Sequence, residues 1–128
     1  MSKYKNKTMS VNGLTFQSVK EGKRYIYLLE KERNGEISSL QTQVKYVLIP
    51  SQYESYERYG KKGQKLKDGR RMVERETAYI ADFVYVDNAT GETVVEDVKG
   101  YRRDGAYNIF VIKRKLMLKE HGIKLKEV

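Results

Sequence analysis

The sequence predicts an α/β fold whose elements follow the order helix, strand, strand, strand, helix, strand. Three observations support this prediction. A helix start signal lies at Ser18, and two runs rich in β-branched and aromatic residues flank a turn at residues 88–91. A helical stretch at residues 106–120 then precedes an alternating apolar segment at residues 123–128.

Composition narrows the class of protein. The chain has 128 residues, of which 39% are hydrophobic, and this suits one domain with a modest core. Its formal net charge of +9 favours a polyanionic partner. A membrane surface is the competing partner, but no long apolar run or amphipathic N-terminal anchor supports it. The N-terminal residues lack the apolar core of a signal peptide, so we expect a cytoplasmic protein.

Cysteine and histidine usage limits the possible metal sites. Cysteine is absent, which excludes disulfides and thiolate zinc sites. His121 is the single histidine, so any metal is left to carboxylates. We expect His121 to be a helix-end residue and not a catalyst, because Gly122 after it is typical of a helix C-terminus.

The first helix is predicted to run from Ser18 to about Arg33. Ser18 and Glu21 have the spacing of a capping box, and Asn34-Gly35 is a typical stop signal. Residues 1–13 are polar and basic, and we expect a poorly ordered tail ahead of a single domain at residues 14–128. The apolar residues spaced for one buried side of the helix are Tyr25, Ile26, Leu28 and Leu29.

Extended structure and a basic loop are predicted next. Residues 37–40 and 43–49 read as strand, closed by Pro50. Gln43 is expected on the solvated face, and a polar group near the site is the alternative. Residues 51–71 have neither a helical nor a strand period, so we expect a mobile loop inserted between strands. Its tyrosines and basic residues suit phosphate tracking and base stacking, and a solvated loop without a special role is the alternative. The basic residues concerned are Lys61, Lys62, Lys65, Lys67, Arg70 and Arg71.

An acidic hairpin lies at the centre of this basic chain. From Glu76 to Asp97 there are six carboxylates and no lysine or arginine. The runs TAYIADFVYV and ETVVEDV read as two strands, and DNATG between them is turn chemistry. If residues 88–91 form a four-residue turn, Asp82 falls opposite Asp97.

Asp82 and Asp97 are therefore candidate metal ligands. Directly opposed residues have Cβ atoms roughly 4.5–5.5 Å apart, and two carboxylates at that distance repel unless a cation lies between them. A hard divalent metal held by oxygens is the simplest such cation. Lys99 shares a face with Asp97 and could contact a phosphate or activate a water, whereas Glu96 points the other way. A register slip by one residue would turn Glu96 and not Asp97 toward the metal. The alternative to a metal site is a solvated hairpin with ordinary surface charges.

A second helix is predicted from about Ala106 to Glu120, after a short loop that carries Arg102 and Arg103. Its basic residues suggest a strip that faces phosphate, and an ordinary solvated face is the alternative. These basic residues are Lys113, Arg114, Lys115 and Lys119. The apolar side is predicted to comprise Ile109, Ile112, Leu116 and Met117, widened by Phe110 and Val111.

Asp82 and Asp97-Val98-Lys99 resemble the active site of the PD-(D/E)xK nuclease superfamily, with Ala81 in place of the motif's proline. The predicted element order from Ser18 to Val128 is similar to the αβββαβ core of that superfamily. More narrowly, several segments resemble a small family of phage and prophage nucleases often linked to Holliday-junction resolution. These segments are FQSVKEGKRY, LQTQVKYVLIP, YIADFVY, VVEDVKGY and FVIKRKLM followed by GIKLKEV.

The resemblance implies a restriction-endonuclease-like fold with a central mixed sheet flanked by helices. It also implies an endonuclease that depends on Mg²⁺, with Mn²⁺ as a possible substitute, and cuts branched or junction DNA in phage recombination or replication. Glu21, Asp82, Asp97 and Lys99 then form the catalytic set, and the metal is held by Asp82, Asp97, the Val98 carbonyl and Glu21. Lys113 matches the family's second-helix lysine. Cutting two strands symmetrically would need a homodimer.

Two functional alternatives stay open. A non-catalytic nucleic-acid-binding module predicts that Asp82→Asn or Asp97→Asn leaves function intact. A phage accessory protein that docks on an acidic protein predicts no salt-sensitive affinity for nucleic acid. For Glu21, a purely capping role is the alternative to a role at the metal.

Overall fold

The structure, a computed structural model, describes residues 7–100 and 105–128. It is a mixed α/β fold. Setting aside two peripheral hairpins, the elements follow the predicted order of helix, three strands, helix and strand. The elements are β1 (Met9–Val11), β2 (Leu14–Phe16), α1 (Val19–Arg33), β3 (Ile37–Ile49), β4 (Gln52–Tyr59), β5 (Lys65–Glu74), β6 (Thr77–Asp87), β7 (Thr93–Asp97), α2 (Gly105–His121) and β8 (Lys126–Glu127).

A mixed four-stranded sheet in the order β3-β6-β7-β8 forms the centre of the fold. The first three strands are antiparallel, and β8 runs parallel to β7. Phe83 packs in a cluster with residues of α1, whereas its neighbour Val84 packs in a second cluster with residues of α2. Successive strand residues point to opposite faces, so the two helices cover the two faces of the sheet. None of the described helices is long and apolar enough to cross a membrane.

The start of α1 confirms the predicted cap. Ser18 has extended backbone angles, and its hydroxyl accepts a hydrogen bond of 3.1 Å from the amide of Glu21. Gly22 in the first turn is buried, and a Cβ there would come within 2.5 Å of the Met9 sulfur. The glycine therefore lets β1 approach the helix closely. The predicted buried side was wrong at Ile26, which is 44% exposed.

The β6–β7 hairpin has the predicted register. Phe83 pairs with Glu96, and the amide of Asp87 donates to the carbonyl of Glu92 across the turn. Continued by one residue, this register places Asp82 opposite Asp97 at the open end of the hairpin. The position of the two carboxylates thus follows from the length of the turn.

The predicted tail at residues 1–13 was wrong in its last part. Residues 9–13 belong to the β1–β2 hairpin, whose turn is formed by Asn12 and Gly13 at φ values of 51° and 80°. Asn-Gly favours such a two-residue turn because both positions need positive φ. The extended stretch predicted at 37–40 and 43–49 is confirmed as one strand, in which an extra residue near Ser39 makes a bulge that was not predicted.

The predicted mobile loop at residues 51–71 is instead regular structure. Strands β4 and β5 pair with each other as a separate two-stranded sheet, which we call the β-ribbon (residues 52–74). Every residue of β4 is exposed. Because neither face of the β-ribbon is buried, its sequence lacks the apolar alternation that identifies a strand.

The predicted apolar side of α2 also needs correction. The buried residues of this helix are Phe110 and Met117, seven positions apart, whereas Ile109 and Ile112 are exposed by 56% and 58%. Gly122, at φ 66°, follows the helix, and its amide donates to the carbonyl of Leu118. Of the apolar residues in this helix, Phe110 packs toward the sheet and lines the same cleft as Asp97, whereas Ile109 and Ile112 are exposed.

Candidate active site

An open cleft of about 400 Å³ brings together residues from both helices and the central strands. It contains three of the four predicted catalytic residues together with the predicted second-helix lysine. Glu21 comes from α1, Asp82 from β6, Asp97 from β7 and Lys113 from α2. The described residues that line it are Gln17, Glu21, Gln43, Tyr79, Ile80, Asp82, Asp97, Ala106, Ile109, Phe110 and Lys113.

Asp82 is fixed by the neighbouring strand. Its Oδ2 atom accepts a hydrogen bond of 2.7 Å from the backbone amide of Val98. That amide follows directly after Asp97 in the chain. The bond therefore ties the first carboxylate to the strand that carries the second one.

Asp97 is almost fully buried, with 5% of its surface exposed. Its Oδ1 atom accepts a hydrogen bond of 2.7 Å from the hydroxyl of Tyr79. Its Oδ2 atom lies 3.0 Å from the Lys99 ammonium, but the angles do not make a hydrogen bond. Among the described residues, Oδ2 thus has a charge partner and no hydrogen-bond donor. A buried carboxylate oxygen in this state can accept a further ligand.

Lys99 contacts two residues of the cleft wall, Asp97 and Phe110. Its side chain is 18% exposed, and its ammonium also lies 3.5 Å from Glu127. The same ammonium sits 2.6 Å from the centre of the Phe110 ring. Its backbone carbonyl accepts a hydrogen bond of 2.5 Å from Lys20. Lys99 is therefore held in a tight polar and aromatic setting, and it is absent from the residues that line the cleft.

Glu21 lines the cleft from the first turn of α1. In the cap, the backbone amide of Glu21 donates a hydrogen bond to the Ser18 hydroxyl. The capping geometry and a place at the cleft therefore coexist at Glu21. They are two consequences of one helix start.

Glu96 lies on the other side of β7, so the register slip does not occur. It is fully buried and receives two hydrogen bonds from Arg24, of 2.9 and 2.7 Å. The hydroxyl of Tyr85 donates a third hydrogen bond to it. Hydrogen bonding to Glu96 raises the pKa of Arg24. Burial, together with the hydrogen bond to Glu96, raises the pKa of Tyr85.

The predicted nucleic-acid-binding residues fall into separate regions. Lys113 lines the cleft, whereas Lys115 is exposed on α2 and absent from the lining. Arg102 and Arg103 lie outside the described residues. The remaining ones all belong to the β-ribbon or its turn, namely Lys61, Lys62, Lys65, Lys67, Arg70 and Arg71.

The donor set of the cleft is compatible with a hard divalent cation. Three carboxylates line it, and Asp97 offers a buried oxygen without a hydrogen bond. Hard cations such as Mg²⁺ prefer oxygen ligands of this kind. Within residues 7–100 and 105–128, however, no three acidic or histidine side chains are grouped closely enough to form a metal centre. Asp82 and Asp97 are thus the first ligands to consider, and Glu21 lines the same cleft.

Sequence reasoning missed Tyr79 and underrated Gln43. Tyr79 holds Asp97, and it lies on the same strand as Asp82. Gln43 is exposed, as predicted, yet it lines the cleft at the level of Asp82 and has a positive φ of 53°. Thr42 pairs with Phe83 and Val44 with Ala81, so only the β3–β6 register reveals this position.

The chain belongs to a protein family described as a protein of unknown function (DUF1064), whose model matches residues 1–127. The comparisons with curated proteins and with solved structures found no match.

Proposed function

We propose that this protein is a metal-dependent endodeoxyribonuclease of the PD-(D/E)xK type. One observation carries the proposal: Asp82 and Asp97, from adjacent strands, meet in one cleft with Glu21 from α1, and Lys99 contacts Asp97. The order α1, β3, β6, β7, α2, β8, with β8 parallel to β7, supports a restriction-endonuclease-like core. The net charge of +9 supports a polyanionic substrate.

In this proposal the acidic residues of the cleft hold the cation. Asp82 and Asp97 would hold Mg²⁺, or Mn²⁺ in its place, together with the backbone carbonyl of Val98, and Glu21 would contribute through water. When bound, the cation lowers the pKa of a water ligand and neutralises charge on the phosphate. The Val98 amide and the Tyr79 hydroxyl keep the two aspartates in place.

The basic residues of the site have separate roles. Lys99 would orient the attacking water or donate to the phosphate, and its contact with Asp97 sets its position. Lys113 would contact the phosphate from the α2 side of the cleft. Salt cations compete with these basic side chains for the phosphates. The affinity for DNA should therefore fall steeply as the ionic strength rises.

Branched or junction DNA is the proposed substrate. One cleft cuts one strand, so symmetric resolution of a junction would use two copies of the chain. A phage or prophage role in recombination or replication, in the cytoplasm of a bacterial host, is part of the same proposal.

The test is cleavage of a labelled four-way junction beside linear duplex and single strand, with Mg²⁺, Mn²⁺ or EDTA. Asp97→Asn and Lys99→Ala should each lose metal-dependent cleavage. Glu92→Gln is the matched control, because Glu92 is an exposed carboxylate on the same hairpin. Preferred cutting of the junction would support a resolvase-like enzyme. Equal cutting of all substrates would retain the nuclease and remove junction selectivity.

A non-catalytic nucleic-acid-binding module is the second candidate. The contacts of Asp97 with Tyr79 and Lys99 favour it, since they also suit a carboxylate with a purely structural role. It predicts salt-sensitive binding, no cleavage with any metal, and unchanged binding for an Asp97→Asn protein that still folds. Absence of salt-sensitive binding would instead favour docking on an acidic protein.

A further inference from the structure

The β-ribbon has the shape of an arm. Its strands pair from Gln52 opposite Glu74 to Tyr59 opposite Lys65, and they have no extensive contact with any other described element. Eight residues of extended chain span about 26 Å. Its base joins the sheet where Ile49 pairs with Thr77, at the start of the strand that carries Asp82.

The far end of the arm is the basic end. From Arg58 to Lys67 the sequence contains five basic residues and no acidic one. The four acidic residues of the β-ribbon lie nearer its base, where Arg71 contacts Glu54 at 2.5 Å. In the part of the chain that the structure describes, no ion pair involves four of the five distal basic residues, namely Arg58, Lys61, Lys62 and Lys67.

The tyrosines stiffen the arm. The Arg70 guanidinium lies 3.8 Å from the centre of the Tyr53 ring, and the Arg71 guanidinium lies 5.1 Å from that of Tyr56. The Tyr56 ring also covers Gly69 on the opposite strand. These contacts occupy faces of the rings that base stacking would use. The groups available to a ligand are thus at the distal end, where the lysines lie next to Tyr59, which is 58% exposed.

A two-stranded ribbon has dimensions that match one nucleic-acid groove. Its strands lie about 4.8 Å apart, and the major groove of B-DNA, about 12 Å wide, admits a two-stranded β-ribbon. The major groove of A-form RNA is too deep and narrow for side chains to enter, and a single strand has no groove.

We propose that the β-ribbon inserts into the major groove of double-stranded DNA beside the cleft and contacts its phosphates through the distal lysines. This inference rests on the proposed function in taking DNA as the polyanion. It adds that the substrate has a B-form duplex arm next to the cleavage point, and it distinguishes DNA from RNA.

The test uses four lysine-to-glutamine changes at the distal end, at positions 61, 62, 65 and 67. Binding of a DNA duplex, an RNA duplex of the same sequence and a single strand is measured by fluorescence anisotropy in EDTA over a range of salt. Four exposed lysines elsewhere provide a control with the same loss of charge, namely Lys7, Lys23, Lys119 and Lys124. Arginine at the four distal positions provides a control that keeps the charge.

The distal variant should bind the DNA duplex roughly tenfold or more weakly. The slope of log affinity against log salt concentration should also be smaller in magnitude by about 3–4. RNA duplex and single strand should lose much less, and the arginine variant should bind like the wild type. Competition by a major-groove ligand, and not by a minor-groove ligand, would agree. Unchanged DNA affinity, or equal losses on all three nucleic acids, would overturn the inference. Binding in EDTA requires no cleavage, so this result stands apart from failure of the nuclease proposal.

Discussion

Arg24 and Glu96 form a bidentate pair that fastens α1 to β7. The two hydrogen bonds measure 2.9 and 2.7 Å, and the Glu96 side chain is fully buried while that of Arg24 is 19% exposed. Arg24 lies one helical turn after Glu21, and Glu96 directly precedes Asp97. The pair therefore holds α1, which carries Glu21, against β7, which carries Asp97.

Arg24→Ala should strongly destabilise the protein. Removing one partner of a buried pair costs about 3–5 kcal/mol, and the partial exposure of Arg24 favours the lower end of that range. Urea denaturation measures the loss. Arg33→Ala is the control, because Arg33 is an exposed arginine at the end of the same helix. A loss no larger than that of the control would contradict a structural role for the pair.

Tyr85 should make the protein sensitive to alkali. Its folded-state pKa is raised above the ordinary value of about 10, by burial and by its hydrogen bond to Glu96. Above pH 10 the unfolded chain releases this proton while the folded chain retains it, so stability falls as pH rises. The measurement is the melting temperature against pH, and Tyr85→Phe should flatten its alkaline fall. Tyr53→Phe, at an exposed tyrosine, should leave the slope unchanged; parallel curves for wild type and Tyr85→Phe would argue against the assignment.

Tyr79→Phe should weaken the candidate site with little change in fold. The change removes the hydroxyl that donates to Asp97 at 2.7 Å. Under the proposed function, in which Asp97 holds the metal, loss of a group that orients this ligand should cost roughly 10–100-fold in metal affinity or activity. Titration of cleavage with Mg²⁺ would show a higher half-saturating concentration. Tyr46→Phe is the control, since Tyr46 contacts His121 away from the cleft. An unchanged Mg²⁺ curve would remove Tyr79 from the site.

Gly69→Ala should loosen the β-ribbon alone. The new Cβ would clash with the Tyr56 ring, and an isolated hairpin is only marginally stable in water. Amide hydrogen exchange at residues 52–74 should therefore become faster while the melting temperature stays close to that of the wild type. Gly100→Ala would place a Cβ with no described residue within 4 Å, and it serves as the control. Unchanged exchange in the ribbon would show that Tyr56 is readily displaced.

Local signals predicted the parts of the fold that local chemistry determines. The Ser18 cap depends on a contact three residues away, and the level of Asp82 with Asp97 depends on the length of one turn. Both predictions were confirmed. The Asn12-Gly13 turn is equally local, but the polar and basic composition of residues 1–13 favours a disordered tail, so the prediction there was wrong.

Features that depend on tertiary packing were not predictable in the same way. Nothing in the spacing of α2 shows that Phe110 and Met117 face the sheet while Ile109 is exposed. Tyr79 joins the site because β6 runs past Asp97, which sequence neighbours do not reveal. The β-ribbon gives no periodic signal, since periodicity records burial and the β-ribbon has no buried face.

The lysines at the far end of the β-ribbon have a consequence for solubility. Each of its strands pairs only with the other in the described structure, so each presents an open edge that could template pairing with a second molecule. Like charges at the ends of two such arms oppose that approach. Neutralising them should therefore promote aggregation as well as weaken binding, and the glutamine variant is best handled at low protein concentration.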